Sequence, residues 1–158
     1  MRTTIREAVI SDISKIHELI NLYSREELLL PKSKAELTVM LPNFFTAEYC
    51  GQFAGSVAFN IGEDEKAEIV SWVVDKKYFN HGIGSILITA VMEKIEDLNI
   101  KVIYTLTLRP NTFEKHGFKV VGMEELPKKV WTDCIRCPRN IAVPGSVECK
   151  EIALLKNY

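Results

Sequence analysis

The sequence predicts an α+β fold, a mixed and mostly antiparallel sheet with helices on both faces, and three observations carry that prediction. Apolar periodicity changes along the chain from helical to strand-like and back, giving the order βααβββαβαββ. Three consecutive strand-like segments joined by short turns read as an antiparallel meander. The last of them runs through a glycine-containing loop straight into an amphipathic helix, a crossover that lays a helix over the sheet. With 158 residues, 47% hydrophobic and 26% charged, the chain is long enough to bury one core. No linker, repeat or biased segment divides it, so a single domain over residues 1–158 is expected.

Thr3 to Val9 reads as the first strand, and Ser11 is a suitable N-cap for a helix in which Ile13, Ile16, Ile20 and Tyr23 recur at helical spacing. Pro31 interrupts this region, a short helix follows over about Ser33 to Leu41, and Pro42-Asn43 ends it. The meander comprises Phe44 to Tyr49, Gln52 to Phe59 and Lys66 to Val74, with turns at Cys50-Gly51 and around Gly62-Glu63-Asp64. Ile83, Ile86, Leu87, Ala90, Val91, Ile95 and Leu98 then mark one apolar helical stripe. Lys101 to Thr107 is a buried strand rich in β-branched residues. A short helix around Thr112 to His116, a turn at Gly117 and a strand from Phe118 to Val121 follow. An irregular segment runs to about Ser146, and a strand from Val147 to Leu155 closes the series.

Twenty basic and twenty-one acidic side chains leave a net charge of -1, which argues against nucleic-acid backbones and anionic membranes as partners. The N-terminus lacks an apolar stretch of signal-peptide length and no long apolar run occurs, so the expected location is cytoplasmic. Four cysteines, Cys50, Cys134, Cys137 and Cys149, are too few and too unevenly spaced for a disulfide framework. Cys134-x-x-Cys137 with Cys149 offers three soft ligands, one short of a tetrahedral zinc site, with Asp133, His116 or a partner subunit as the fourth. The alternatives are buried thiols or a labile disulfide, and the reading favours these over structural zinc. His17, on the first helix, reads as a surface residue.

The most informative local feature is the run from Trp72 through Val73, Val74, Asn80, His81, Gly82, Ile83, Gly84 and Ser85, a strand entering a glycine loop that opens a helix. Such a loop aims backbone N–H groups at one point, and the positive end of the helix dipole favours an anion there. A pyrophosphate suits it; a tight turn before a helix is the plainer reading. It is neither a Walker motif, since no Gly-Lys-Ser/Thr follows, nor a complete G-x-G-x-x-G dinucleotide fingerprint.

The meander, this loop and helix, a buried strand, and Phe113-Glu114-Lys115-His116-Gly117-Phe118 together resemble the GNAT superfamily of acyl-CoA N-acyltransferases. Ile5-Arg6-Glu7-Ala8, Leu29-Leu30-Pro31-Lys32-Ser33, Leu106-Thr107-Leu108-Arg109 and Leu126-Pro127-Lys128-Lys129-Val130-Trp131 narrow the likeness to the catalytic domain of N-acetylglutamate synthases. The resemblance implies acetyl-CoA as cosubstrate, with the pantetheine arm along Trp72, Val73 and Val74 and the pyrophosphate on Asn80 to Ser85. It implies acetyl transfer to the α-amino group of L-glutamate, the first step of arginine biosynthesis, without a covalent acetyl-enzyme. A homodimer is one assembly such small enzymes take.

An ammonium must lose a proton before it can attack, and Glu68, on the strand face of Val70 and Trp72, is the candidate base, with a solvated strand end as the plainer reading. Glutamate's two carboxylates call for cations: Arg109 first, then Lys32, where relatives commonly have Arg, and Arg6, which could instead pair with a neighbouring acid such as Glu7. Arg109 has its own alternative as an exposed strand-end residue. A backbone N–H near Val73 or Val74 would receive the oxyanion. Two positions depart from the family pattern: Phe79 replaces a usual Arg or Gln, and Phe113 replaces a tyrosine that protonates the leaving thiolate. No general acid is assigned, Tyr104 being a remote alternative. An acetyltransferase for another amine (a peptide N-terminus, polyamine or antibiotic) and a non-catalytic acyl-CoA sensor are the rival functions.

Overall fold

A computed structural model of the chain describes residues 2–26, 29, 31–127 and 151–158. Its elements are β1 (Thr3–Glu7), α1 (Ile13–Arg25), α2 (Lys34–Met40), β2 (Phe44–Tyr49), β3 (Gln52–Ile61), β4 (Ala67–Val74), α3 (Ile83–Asp97), β5 (Val102–Thr107), α4 (Pro110–Glu114), β6 (Lys119–Val121) and β7 (Ile152–Asn157). The seven strands make one sheet in the order β1-β2-β3-β4-β5-β7-β6. The pairs β1–β2, β2–β3, β5–β7 and β6–β7 are antiparallel, whereas β4 and β5 are parallel. The expected α+β class and element order stand, and the differences are local.

Strand β1 ends at Glu7, two residues early, because Ile10–Asp12 form a short 3-10 turn before α1. Ser11 therefore does not cap the helix; Asp12 precedes it instead, its carboxylate accepting from the Val9 N–H at 2.8 Å rather than from the helix. Ser33 caps α2 in the usual way, its Oγ accepting from the Glu36 N–H at 3.1 Å. Helix α4 begins at Pro110 rather than Thr112, a first-turn position where a missing N–H costs nothing. The expected irregular segment to Ser146 and the start of the closing strand lie outside the described residues from 128 to 150, and the described strand runs Ile152–Asn157.

By contacts the chain divides into two compact units, Met1–Asn60 with Ile69–Asn99, and Ile61–Glu68 with Ile100–Tyr158. In the first, Ile13, Ile16, Leu19, Ile20 and Tyr23 of α1 pack with Leu37 of α2 against Phe44, Ala58 and Val73. Ile16 and Ile20 are fully buried, each burial stabilising by about 1.5–3 kcal/mol. Helix α3 covers the other face: Leu87 lies beside Gly55, which strand alternation sets opposite to Ala58. In the second unit Tyr104, Leu126 and Ala153 form the core, and the Phe113 and Phe118 rings meet edge to face at 5.3 Å. Among the described residues no helix is long and apolar enough to cross a membrane.

Candidate functional site

The junction of β4 and α3, within the first unit, concentrates most of the chemistry-bearing residues. After Val74, the Asp75 carboxylate accepts from the Lys77 N–H at 3.1 Å and starts a single 3-10 turn over Lys76–Tyr78. Asn80 and Gly82 then take φ of +67° and +73°, and these two left-handed steps turn the chain into α3. Asparagine is among the few non-glycine residues that tolerate this conformation. The Ile86 N–H is the first to bond back, to the Gly82 carbonyl at 3.1 Å, so the N–H groups of Ile83, Gly84 and Ser85 have no intrahelical partner. A Cβ on Gly82 would have nothing within 4 Å, so the space beside Gly82 itself is open. A Cβ on Gly84 would instead meet Trp72 and Val74 at 3.6–3.7 Å, in ordinary contact. The two glycines therefore do different things: Gly82 supplies a backbone conformation, and Gly84 sits against the strand.

Side chains fix this loop from behind. The Trp72 indole N–H donates to the Gly84 carbonyl at 3.2 Å, tying the strand to the helix start. His81 Nδ1 lies 2.9 Å from the Phe79 carbonyl and 3.1 Å from the Tyr78 carbonyl, two acceptors that call for a proton on Nδ1. The His81 ring meets Tyr49 edge-on at 4.7 Å, and Tyr49 in turn lies 5.5 Å from Tyr78. Ser85 is exposed and, with Ile5, Ile86, Thr89, Ala90 and Glu93, lines an open groove between β1 and α3.

Strand β4 carries an irregularity of its own. Ser71 is buried with φ of +54°, a left-handed residue inside a strand and a cost of about 1–3 kcal/mol that its surroundings must offset. Just beyond it, a Cβ on Gly55 of β3 would stand 2.5 Å from the Val73 carbonyl oxygen and 3.1 Å from the Val74 Cα. Only glycine lets the two backbones approach this closely. Gly55, Ser71 and the Tyr23 hydroxyl, which donates to the Val74 carbonyl at 2.6 Å, were not among the residues singled out from the sequence. An isolated glycine inside a strand pattern is a signal for Gly55. Nothing in the sequence separates Tyr23 from an ordinary core aromatic.

The remaining sequence-derived residues fall as follows. Glu68 is half-buried at the start of β4, in register with Tyr104 of β5. Arg109 is exposed at the residue before α4, its backbone N–H donating to Thr107 Oγ1 at 3.0 Å. Lys32 is half-buried ahead of α2. Arg6 is already engaged: its guanidinium grips Asp12 through two bonds of 2.7 and 2.9 Å and reaches Glu48 at 3.0 Å, while Glu7 receives only a backbone contact of 3.2 Å. These bonds to Asp12 and Glu48 raise the Arg6 pKa, and the Arg6 bond holds the buried Asp12 carboxyl below its usual value. His116 is pushed down by burial and by the charges of Lys156 and Lys115. Phe113 is buried in the core of the second unit, and Phe79 is exposed. Cys134, Cys137, Cys149 and Asp133 lie outside the described residues; among the described ones no group of His, Cys, Asp or Glu could hold a metal ion.

Comparison with known proteins completes the picture. Residues 11–122 match the model of the acetyltransferase (GNAT) family. An uncharacterized N-acetyltransferase from Chlorobaculum tepidum is 31% identical over 154 residues, covering 98% of this chain and 96% of that protein. An amino-acid acetyltransferase from Pasteurella multocida is 30% identical over 80% of this chain, which spans 29% of that longer protein. In fold, the N-acetylglutamate synthase from Neisseria gonorrhoeae, solved with coenzyme A and N-acetyl-glutamate, superimposes with a TM-score of 0.86 at 23% identity, covering 99% of this chain and 35% of that one.

Proposed function

The chain belongs to the acetyltransferase (GNAT) family, and we propose that it transfers acetyl from acetyl-CoA to the α-amino group of an amino acid, with L-glutamate as the acceptor, the first step of arginine biosynthesis. The observation that carries this reading is the junction of β4 and α3, where a left-handed Gly82 with open space at its Cβ position leads into three helix-start amides without intrahelical partners. Coenzyme A offers a pyrophosphate of the charge and size that such amides bind. The amino-acid acetyltransferase named above, 30% identical, supports an amino acid as acceptor.

In this reading Ile83, Gly84 and Ser85 bind the pyrophosphate through backbone N–H groups, with Asn80, His81 and Gly82 shaping the approach. Trp72, Val73 and Val74 pair with the pantetheine arm through their backbone. The thioester supplies an activated acetyl group. Glu68 takes the ammonium proton, directly or through water, so that the free amine forms a C–N bond to the acetyl carbon. A backbone N–H at Val73 or Val74 stabilises the oxyanion, the C–S bond breaks, and the departing thiolate takes, through water, the second proton that the attacking nitrogen sheds. Arg109 and Lys32 receive the acceptor's carboxylates. Arg6, committed to Asp12 and Glu48, is assigned to the fold rather than to the acceptor.

An acyl-CoA sensor is the second reading, favoured by Phe113: a buried apolar ring, unable to give a proton, stands where the resemblance to the family implies a tyrosine. Release of free thiol from acetyl-CoA, assayed across a panel of amines, separates the readings. Turnover with glutamate is expected. Turnover only with a peptide, polyamine or antibiotic overturns the acceptor, and saturable acetyl-CoA binding with no turnover on any amine establishes the sensor.

A further inference from the structure

We infer that Tyr23 is a positioning residue for the cofactor cradle, acting from α1 through the Val74–Asp75 peptide; the inference rests on the acetyl-CoA reading above. Tyr23 belongs to the apolar stripe of α1 and is only 6% exposed, yet its hydroxyl crosses to the end of β4 and donates to the Val74 carbonyl at 2.6 Å. The N–H of the same peptide, on Asp75, donates to the Ala54 carbonyl at 2.8 Å. One peptide plane is thus held from both sides, by a helix side chain and by strand β3. One residue earlier, the Val73 carbonyl presses against Gly55, where any Cβ would stand 2.5 Å from its oxygen. A second bond, from the residue just after α1, continues the grip, since Glu26 pairs with Lys76 at 2.5 Å.

This clamp sits where two proposed functions meet. Val74 ends the segment assigned to the pantetheine arm, and Asp75 starts the turn that leads to the pyrophosphate amides. Without the phenol O–H, the part-buried Val74 carbonyl loses this donor, and the peptide is free to rotate. Rotation at this peptide swings the chain on both sides of it, the strand end and the loop entry together. Tyr23 thereby acts on cofactor binding through the backbone, with no need to touch the cofactor.

The test is Tyr23→Phe, which keeps the packed ring and deletes one hydroxyl. Titration calorimetry with CoA and with acetyl-CoA, on the full chain, reads the effect. Loss of one buried hydrogen bond predicts a Kd raised about three- to tenfold for both, with a matching rise in the acetyl-CoA KM and an unchanged KM for the acceptor amine. A purely structural role would lower Tm and the active fraction, depressing kcat while leaving every Kd and KM as it was, and that result overturns the inference. Gly55→Ala displaces the same segment from the β3 side, leaving every α1 side chain chemically intact. If Tyr23→Phe does not fold, weakened CoA binding in Gly55→Ala with acceptor KM unchanged upholds the inference, and wild-type CoA affinity overturns it. Wild-type protein that fails to bind CoA overturns the cofactor reading itself, a result distinct from equal binding by wild type and variant.

Discussion

Gly82 holds φ at +73°, whereas a Cβ on Gly84 would find only ordinary contacts with Trp72 and Val74, so alanine at the two positions should act in opposite directions. Gly82→Ala forces a Cβ into the left-handed region and should cost about 1–2 kcal/mol in urea denaturation, with acetyl-CoA KM raised as the loop relaxes away. Gly84→Ala lies in the first turn of α3 and should be neutral or stabilising by about 0.4–1 kcal/mol. Glu68 invites a different experiment, because Glu68→Gln keeps the shape and cannot accept a proton. Its kcat should fall by about 10²–10⁴-fold near neutral pH with CoA affinity retained, and the loss should shrink as pH rises toward the amine's own pKa. A loss independent of pH would assign Glu68 to positioning instead. At this scale legibility follows backbone chemistry. Gly82, Gly84 and Trp72 stand in one short stretch whose composition announces a loop before a helix. The Tyr23–Val74 bond joins residues far apart in the chain, and a hydroxyl on an apolar stripe carries no mark of where it points.

The entry into α1 shows how a partner elsewhere decides a boundary that local rules leave open. Ser11 and Asp12 are both capping residue types, but Arg6 on β1 reaches Asp12, and the carboxylate is drawn to the strand and to the Val9 N–H instead of to the helix. The strand, the 3-10 turn and the helix are thereby fastened at one buried acid. Arg6→Ala strands that carboxylate and should destabilise by about 1–3 kcal/mol, below the range for fully buried pairs because Arg6 is partly in water. The Asp12 carboxyl titrates below its ordinary value in the fold, so its contribution is complete above the unfolded value of about 3.9 and is lost as pH falls through the depressed one. Chemical denaturation of wild type and Asp12→Asn should therefore differ at pH 7 and converge as pH falls below about 3.9. Helices and strands themselves were legible from periodicity, as with the stripe that opens α3 at Ile83; their ends were less so, because ends are set by such cross-element bonds.

For the whole molecule, the element order and the meander specify the fold class, and the Cys50-Gly51 turn specifies which strands are neighbours in β2–β3, both residues taking positive φ. The order β5-β7-β6 is another matter. Nothing in the composition of β7 says that it lies between two strands made long before it, since alternation reports a buried face and not a neighbour. Its register runs from Val102↔Asn157 to Thr107↔Ile152 on one side and from Lys119↔Leu155 to Val121↔Ala153 on the other. Deletion of residues 152–158 should therefore accelerate amide exchange throughout β5 and β6 while β1 and β2, paired to each other, keep their protection; uniform protection in the shortened chain would disprove this dependence. During synthesis the same arrangement imposes a waiting period. As the polypeptide leaves the ribosome, β5 and β6 emerge with open edges that no earlier strand can satisfy, and such edges template pairing with other chains. The nascent protein is most prone to aggregate in the interval between Val121 and Ile152, so slow translation through that stretch, or a shortage of chaperones during it, should reduce soluble yield more than the same disturbance applied at the N-terminal strands.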